Sequence, residues 1–197
     1  MELSVVIPAY NEEDYLGPTL ESVVAALMSI DRSELLVVDN ESTDLTVEVA
    51  KSFGASMIAE NERSIGAVRN AGGRAATGEV IVFLDADTCV RPGVFDRILD
   101  EMADPDCVGG SVAVDYDTAP SRWWVRYYVG MFQFWGKVLR MRQGAAQFCS
   151  RTAFEQTGGY DATIFVGEDI EFHWRLDKLA KSTGGRTAFI ESPRVIT

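Results

Sequence analysis

Apolar positions along the first hundred residues follow two alternating rhythms. Short runs at 3–8, 35–39, 55–59 and 80–85 are nearly continuous and predict strands, with the 80–84 run buried on both faces. Between them, Leu16, Leu20, Val23, Val24 and Leu27 recur at helical spacing, as do Val47, Ala50 and Phe53. Asn11 is placed to cap the first helix, with Glu12, Glu13 and Asp14 favourable against its positive end; Ser42 or Thr43 would cap the second. Strand–helix–strand–helix–strand order predicts a mostly parallel sheet with right-handed crossovers. The rhythm then loosens. Helical patterns are predicted at 92–102, 122–139 and 168–179, and strands at 108–116, 145–149 and 186–190.

The run Val80-Ile81-Val82-Phe83-Leu84 leads directly into Asp85-Ala86-Asp87. Unpaired carboxylates are expensive in a core, but they fit the carboxyl edge of an open α/β sheet, where ligands bind. Two of them spaced by one residue suit a hard divalent cation that also holds phosphate oxygens. The pattern therefore points to a nucleotide-diphosphate site. Asp39 ends the second strand, where an acid can accept from a ribose hydroxyl or a base N–H. With Ser42, Thr43 and Asp44 available for capping, Asp39 is left for a ligand. The first strand ends Ile7-Pro8-Ala9-Tyr10-Asn11-Glu12, which presents an aromatic ring at the sheet edge or simply turns the chain into a helix. The glycine-rich run 64–73 matches neither GxGxxG nor the Walker pattern. Its small residues permit close packing of a helix on the sheet, and its Arg69 is open to a phosphate, a nucleobase or solvent.

The 197 residues, 47% hydrophobic, suffice for one buried core. A net charge of −12 argues against nucleic acid as a partner. The charge is uneven: residues 118–154 hold six bases and no acid, so they carry +6 and the rest of the chain −18. Within this island Trp123, Trp124, Tyr127, Tyr128, Met131, Phe132 and Trp135 recur at helical spacing among Arg122, Arg126 and Lys137. Three readings stand for the segment 122–142: a core-packing helix with a solvated edge, a platform for carbohydrate, or a peripheral membrane contact. Only four of 18 basic residues are lysine, which fits a high-salt organism or a GC-rich genome. Three cysteines without CxxC spacing, the lack of signal-peptide features and the lack of a spanning apolar run predict a cytoplasmic protein, peripheral at most to the inner face of the membrane.

Six motifs in order resemble the family-two glycosyltransferases of the GT-A fold: VVIPAYNE at 5–12, LLVVDNESTD at 35–44, GAVRNAG at 66–72, GEVIVFLDADT at 78–88, GGY at 158–160 and GEDIEFHWRL at 167–176. The resemblance implies a single α/β domain over 1–197, with a Rossmann-like, mostly parallel central sheet and helices on both faces. Residues 1–103 would bind the nucleotide sugar and 104–197 the acceptor. It implies inverting transfer from a UDP- or GDP-sugar to an acceptor sugar or a lipid-linked acceptor. Pro8, Ala9, Tyr10 and Glu12 would line the nucleotide pocket, with Asp39 reading the base and Arg69 close by. Asp85 and Ala86 would face the nucleoside, Asp87 would hold Mn²⁺ or Mg²⁺, and Asp169 would be the general base.

Two features depart from the family pattern. His173 shares a helix face with Asp169 and is open to packing, to orienting that acid or to approaching a metal. The chain ends at Thr197, where related enzymes commonly continue with a basic loop, so a truncated C-terminus is expected. A sugar-phosphate nucleotidyltransferase is disfavoured because residues 8–12 replace the glycine-rich loop expected after its first strand. A non-catalytic nucleotide-sugar sensor or scaffold is disfavoured by the joint presence of Asp85, Asp87 and Asp169.

Overall fold

A computed structural model describes residues 2–115 and 145–197. The chain forms β1 (Leu3–Ala9), α1 (Leu16–Leu27), β2 (Ser33–Asp39), α2 (Thr46–Ser52), β3 (Ser56–Ala59), α3 (Ile65–Ala75), β4 (Val80–Leu84), β5 (Cys89–Val90), α4 (Val94–Met102), β6 (Cys107–Asp115), β7 (Ala146–Ser150), α5 (Arg151–Thr157), α6 (Glu168–Thr183) and β8 (Arg186–Ile196). The aromatic stripe and the basic segment 122–142 lie outside the described residues.

The strands join in one sheet of order β3-β2-β1-β4-β7-β6-β8-β5. β1 pairs parallel with both β2 and β4, and β2 pairs parallel with β3. β7 enters antiparallel between β4 and β6, while β6 and β8 run parallel. From β1 the chain steps outward through β2 to β3, then returns to place β4 on the other side of β1. The carboxyl ends of β1 and β4 thus flank a topological switch point, where open α/β sheets bind ligands.

Every residue of β1 and β4 is buried, because helices cover both faces. One core joins the α1, α2 and α4 faces to Leu3, Val5, Ile7, Val80, Val82 and Leu84. The other joins α3, α5 and α6 to Val6, Val38, Ile81 and Phe83. Strand alternation sends Phe83, and then Asp85, toward the second set of helices. The glycine-rich run forms α3 and lies close on the sheet, as its small residues predict. A Cβ on Gly72 would overlap the Val6 and Val38 side chains, and one on Gly73 would meet the Phe154 ring.

Three local expectations are corrected. Asn11 and the acids after it do not start α1: the N-cap is Tyr15, and the first turn holds no acid. Asn11 instead has φ 54°, and its side-chain oxygen accepts from the Thr43 backbone N–H at 2.8 Å. Neither Ser42 nor Thr43 caps α2. Asp44 Oδ1 accepts from the Thr46 N–H at 3.0 Å, while Ser42 Oγ accepts from the Asn11 N–H at 3.0 Å. Finally, β8 runs on past 190 to Ile196. Its pairing with β6 shifts register between Val112 and Val114, which lets the strand carry Pro193 and continue against β5.

Candidate active site

Consecutive parallel registers set the first group of site residues on one edge. Ala9 pairs with Asp39, and Val6 with Phe83. Continuing the second register sets Asp85 level with Pro8. Pro8, Ala9 and Ala86 are buried as backbone-presenting positions, whereas Tyr10 and Asp87 are exposed and Glu12, Asp39 and Asp85 are half-buried. The loop after β1 is fastened to the loop after β2: Glu12 N–H donates to Thr46 Oγ1 at 2.7 Å, and Glu13 N–H to Asp44 Oδ2 at 3.1 Å. Asp39 Oδ1 accepts from the Ser42 N–H at 3.2 Å, so it is partly engaged in its own turn. Tyr10 keeps 44% of its surface exposed, and the Arg63 guanidinium lies 4.6 Å from its ring centroid.

Arg69 is where the structure adds most. It is 4% exposed, which removes the solvated alternative. Nη2 donates to Asp85 Oδ1 at 2.7 Å, and Nη1 to Glu168 Oε1 at 2.5 Å. Its guanidinium lies 5.2 Å from the Tyr160 ring centroid. Burial alone would make Arg69 easier to deprotonate, but the adjoining Asp85 and Glu168 carboxylates hold it firmly charged. Two of its three nitrogens are thus spent on carboxylates, one at the end of β4 and one in the first turn of α6. The arginine joins the two groups of candidate residues.

The carboxylates also interact through space. Burial pushes Asp85 above its ordinary value, Arg69 opposes this, and the charges of Asp87 and Asp169 raise it further. Glu12 is raised by burial, then by Asp87, Asp44 and Asp85. Glu12, Asp85, Asp87 and Asp169 therefore share one electronegative neighbourhood, although they come from the loops after β1 and β4 and from α6. His173 sits one turn beyond Asp169, 1% exposed, with Nε2 4.0 Å from Asp177 Oδ1, as befits a packed position.

Residues that the motifs contain but do not explain complete the arrangement. Asn70 Nδ2 donates to the Tyr160 carbonyl at 2.8 Å, and its Oδ1 accepts from the Tyr160 N–H at 2.7 Å. Gly159 must be glycine: φ is +74°, and a Cβ would overlap Asn70. Tyr160 stacks on Phe172 at 4.2 Å and meets Phe83 edge-on at 5.0 Å. Its hydroxyl reaches Gln147, a residue no motif flags. The available signal was a glutamine among Ala, Phe and Cys in a strand buried along most of its length.

The family profile described as Glycosyl transferase family 2 matches residues 4–158. The chain belongs to glycosyltransferase family 2. Among curated relatives, the chain is 31% identical over 122 residues to Glycosyltransferase AglE of Haloferax volcanii, covering 58% of the chain and 40% of that protein. It is 40% identical over 110 residues to Dodecaprenyl-phosphate galacturonate synthase of Rhizobium johnstonii, covering 52% of the chain and 32% of that protein. The chain thus aligns with less than half the length of these relatives. Two solved structures share its GT-A fold over the whole chain. S. aureus TarS has a TM-score of 0.78 at 16% identity, with 60% of its chain covered. A Pyrobaculum calidifontis mannosyltransferase in complex with GDP-Man and Mn²⁺ has a TM-score of 0.77 at 20% identity, with 56% covered.

The carboxylates at this edge fit a divalent cation of limited kind. Among the described residues no three His, Cys, Asp or Glu side chains converge to hold a metal. Hard carboxylate oxygens at the sheet edge, Asp87 foremost, suit an ion bound by one or two carboxylates and completed by substrate phosphates. Among the described residues, no helix is long and apolar enough to cross a membrane. Cys107 and Cys149 are buried free thiols, and Cys89 is half-buried.

Proposed function

We propose that this chain is a catalytic domain that moves a sugar from a nucleoside-diphosphate sugar to an acceptor hydroxyl, with inversion at the anomeric carbon. The observation that carries the proposal is the joining of two carboxylate groups, at the switch point and on α6, by the buried Arg69. Pro8, Ala9, Tyr10 and Glu12 would border the nucleotide, Asp39 would read the base, and Asp85 with Ala86 would face the nucleoside. Arg69 serves this site chiefly by fixing Asp85. Asp87 would hold Mn²⁺ or Mg²⁺, which when bound offsets the charge that develops on the leaving diphosphate.

The acceptor oxygen attacks the anomeric carbon as the bond to the β-phosphate oxygen breaks, and that electron pair leaves with the diphosphate. Asp169 takes the acceptor's proton as the new bond forms. One displacement from the face opposite the leaving group inverts the centre. A lipid-linked acceptor is the narrower proposal. It is supported by the similarity to the Rhizobium dodecaprenyl-phosphate galacturonate synthase and by the basic, aromatic composition of 122–142.

A thermal-shift screen of UDP-, GDP- and their sugar derivatives, with and without Mn²⁺, is expected to show metal-dependent stabilisation by one nucleotide series. Turnover of the stabilising sugar nucleotide should then be lost in Asp87→Ala and in Asp169→Asn. Wild-type rates in both would sink the proposal. Failure to bind anionic vesicles at low salt would remove the membrane-associated version alone.

A further inference from the structure

We propose that Gln147 is a positioning residue for Asp169, the last member of a hydrogen-bonded relay Asn70–Tyr160–Gln147 running from α3 to the first turn of α6; this rests on the reading of Asp169 as the base.

Gln147 lies on β7, 1% exposed, opposite Phe83 on one side and Ser111 on the other. Antiparallel partners share a face, so its side chain rises on the same side as Phe83, toward α6. Its Nε2 donates to the backbone carbonyl of Asp169 at 2.8 Å. A carbonyl only accepts, which fixes the amide: Oε1 must face the other way. There it accepts from the Tyr160 hydroxyl at 2.9 Å. A phenol donor is required at that point, because a second acceptor would oppose Oε1. Tyr160 cannot drift, since Asn70 grips its backbone N–H and carbonyl together, and its ring is held between Phe83 and Phe172.

Asn70 follows Arg69 directly on α3. Two routes therefore leave adjacent residues of one helix and reach adjacent residues of another. Arg69 holds the Glu168 carboxylate, and Asn70, through Tyr160 and Gln147, holds the Asp169 carbonyl. A single ion pair would leave the first turn of α6 free to pivot about Glu168. A second attachment one residue on removes that pivot and fixes the direction in which the Asp169 side chain leaves the backbone. General-base catalysis needs that direction, because the carboxylate must meet the acceptor proton within hydrogen-bond reach.

Gln147→Leu keeps the volume and removes both hydrogen bonds; Tyr160→Phe keeps the ring stack and removes only the donor. Each is to be compared with wild type for turnover of the sugar nucleotide found in the thermal-shift screen, for its KM, and for amide hydrogen exchange. Gln147→Leu is expected to lower kcat at least about tenfold, since small misplacements of a reacting group are costly, with KM changed by less than about twofold. Tyr160→Phe should show the same pattern more weakly. Exchange should quicken at the Phe172 and His173 amides, which close on the carbonyls of Glu168 and Asp169, and stay unchanged across β1–β4. Unchanged kcat, a KM rise that matches the loss, or no local change in exchange would overturn the relay. If wild type turned over no sugar nucleotide, the glycosyl-transfer reading would fail, and the exchange comparison would still decide whether Gln147 holds the α6 turn.

Discussion

The sheet edge at the switch point and the first turn of α6 are built in different ways. At the sheet edge the backbone does the placing. Three parallel strands with consecutive registers bring residues 8–12, Asp39 and Asp85–Asp87 to one level, and the loops are fastened by local hydrogen bonds. At α6 the placing falls to side chains. Glu168 and Asp169 arrive on a helix whose first turn is held by Arg69 and Gln147, both from distant elements. An edge residue can therefore be changed at the expense of chemistry alone. A residue that ties α6 down should cost structure and chemistry together.

The largest effect expected from this contrast is at the sheet edge. Asp87 is exposed, so Asp87→Ala should not lower the urea midpoint, yet it should lower turnover by about 10²–10³-fold. Removing the arginine tie should cost stability as well as turnover. Arg69→Met leaves the Glu168 carboxylate, only 10% exposed at its side chain, without its partner, and a loss of about 3 kcal/mol is expected in urea unfolding, together with loss of turnover. Gly72→Ala forces a methyl into Val6 and Val38, and about 1–3 kcal/mol should be lost with the donor KM of the folded enzyme little changed. Tyr10→Ala removes an exposed ring and should weaken nucleotide binding by about 1 kcal/mol, read by calorimetry, without lowering stability.

The smallest expected effect concerns pH. Glu12 and Asp85 have folded pKa values raised above their unfolded ones, so the folded state holds more protons between the ordinary carboxylate value and the raised one. In that window stability falls as pH rises, and it returns as pH falls through the folded pKa. Asp87 adds to the rise of both groups. Asp87→Asn should therefore raise the urea midpoint at about pH 7 relative to wild type, with the gain shrinking by about pH 4. An equal difference at both pH values would show that charge crowding at the edge is not its source.

The same contrast governs what could be read from the sequence. Strands 1 to 4 and their edge were legible because both rhythms are local: the apolar run ending in Asp85-Ala86-Asp87 is a buried strand whose acids emerge at the switch point. The caps were not legible. Asn11 spends its amide on Thr43, a contact 32 residues away that outweighs its local capping preference. Arg69 was visible only as a charge in a small-residue helix, and its burial depends on two carboxylates 16 and 99 residues distant. Gln147 reads as one polar residue in a short strand, and its meaning appears only once Tyr160 and Asp169 are folded around it.

The most direct test of glycosyl transfer across this joined site is the Asp169→Asn variant, measured for both nucleotide affinity and turnover. The amide keeps the size of the acid and the backbone carbonyl that Gln147 holds, but it cannot take a proton. Metal-dependent nucleotide affinity is expected to stay within about twofold of wild type while release of the nucleoside diphosphate falls by about 10²-fold or more. Turnover near the wild-type rate, or a loss of nucleotide affinity as large as the loss of turnover, would contradict Asp169 as the base.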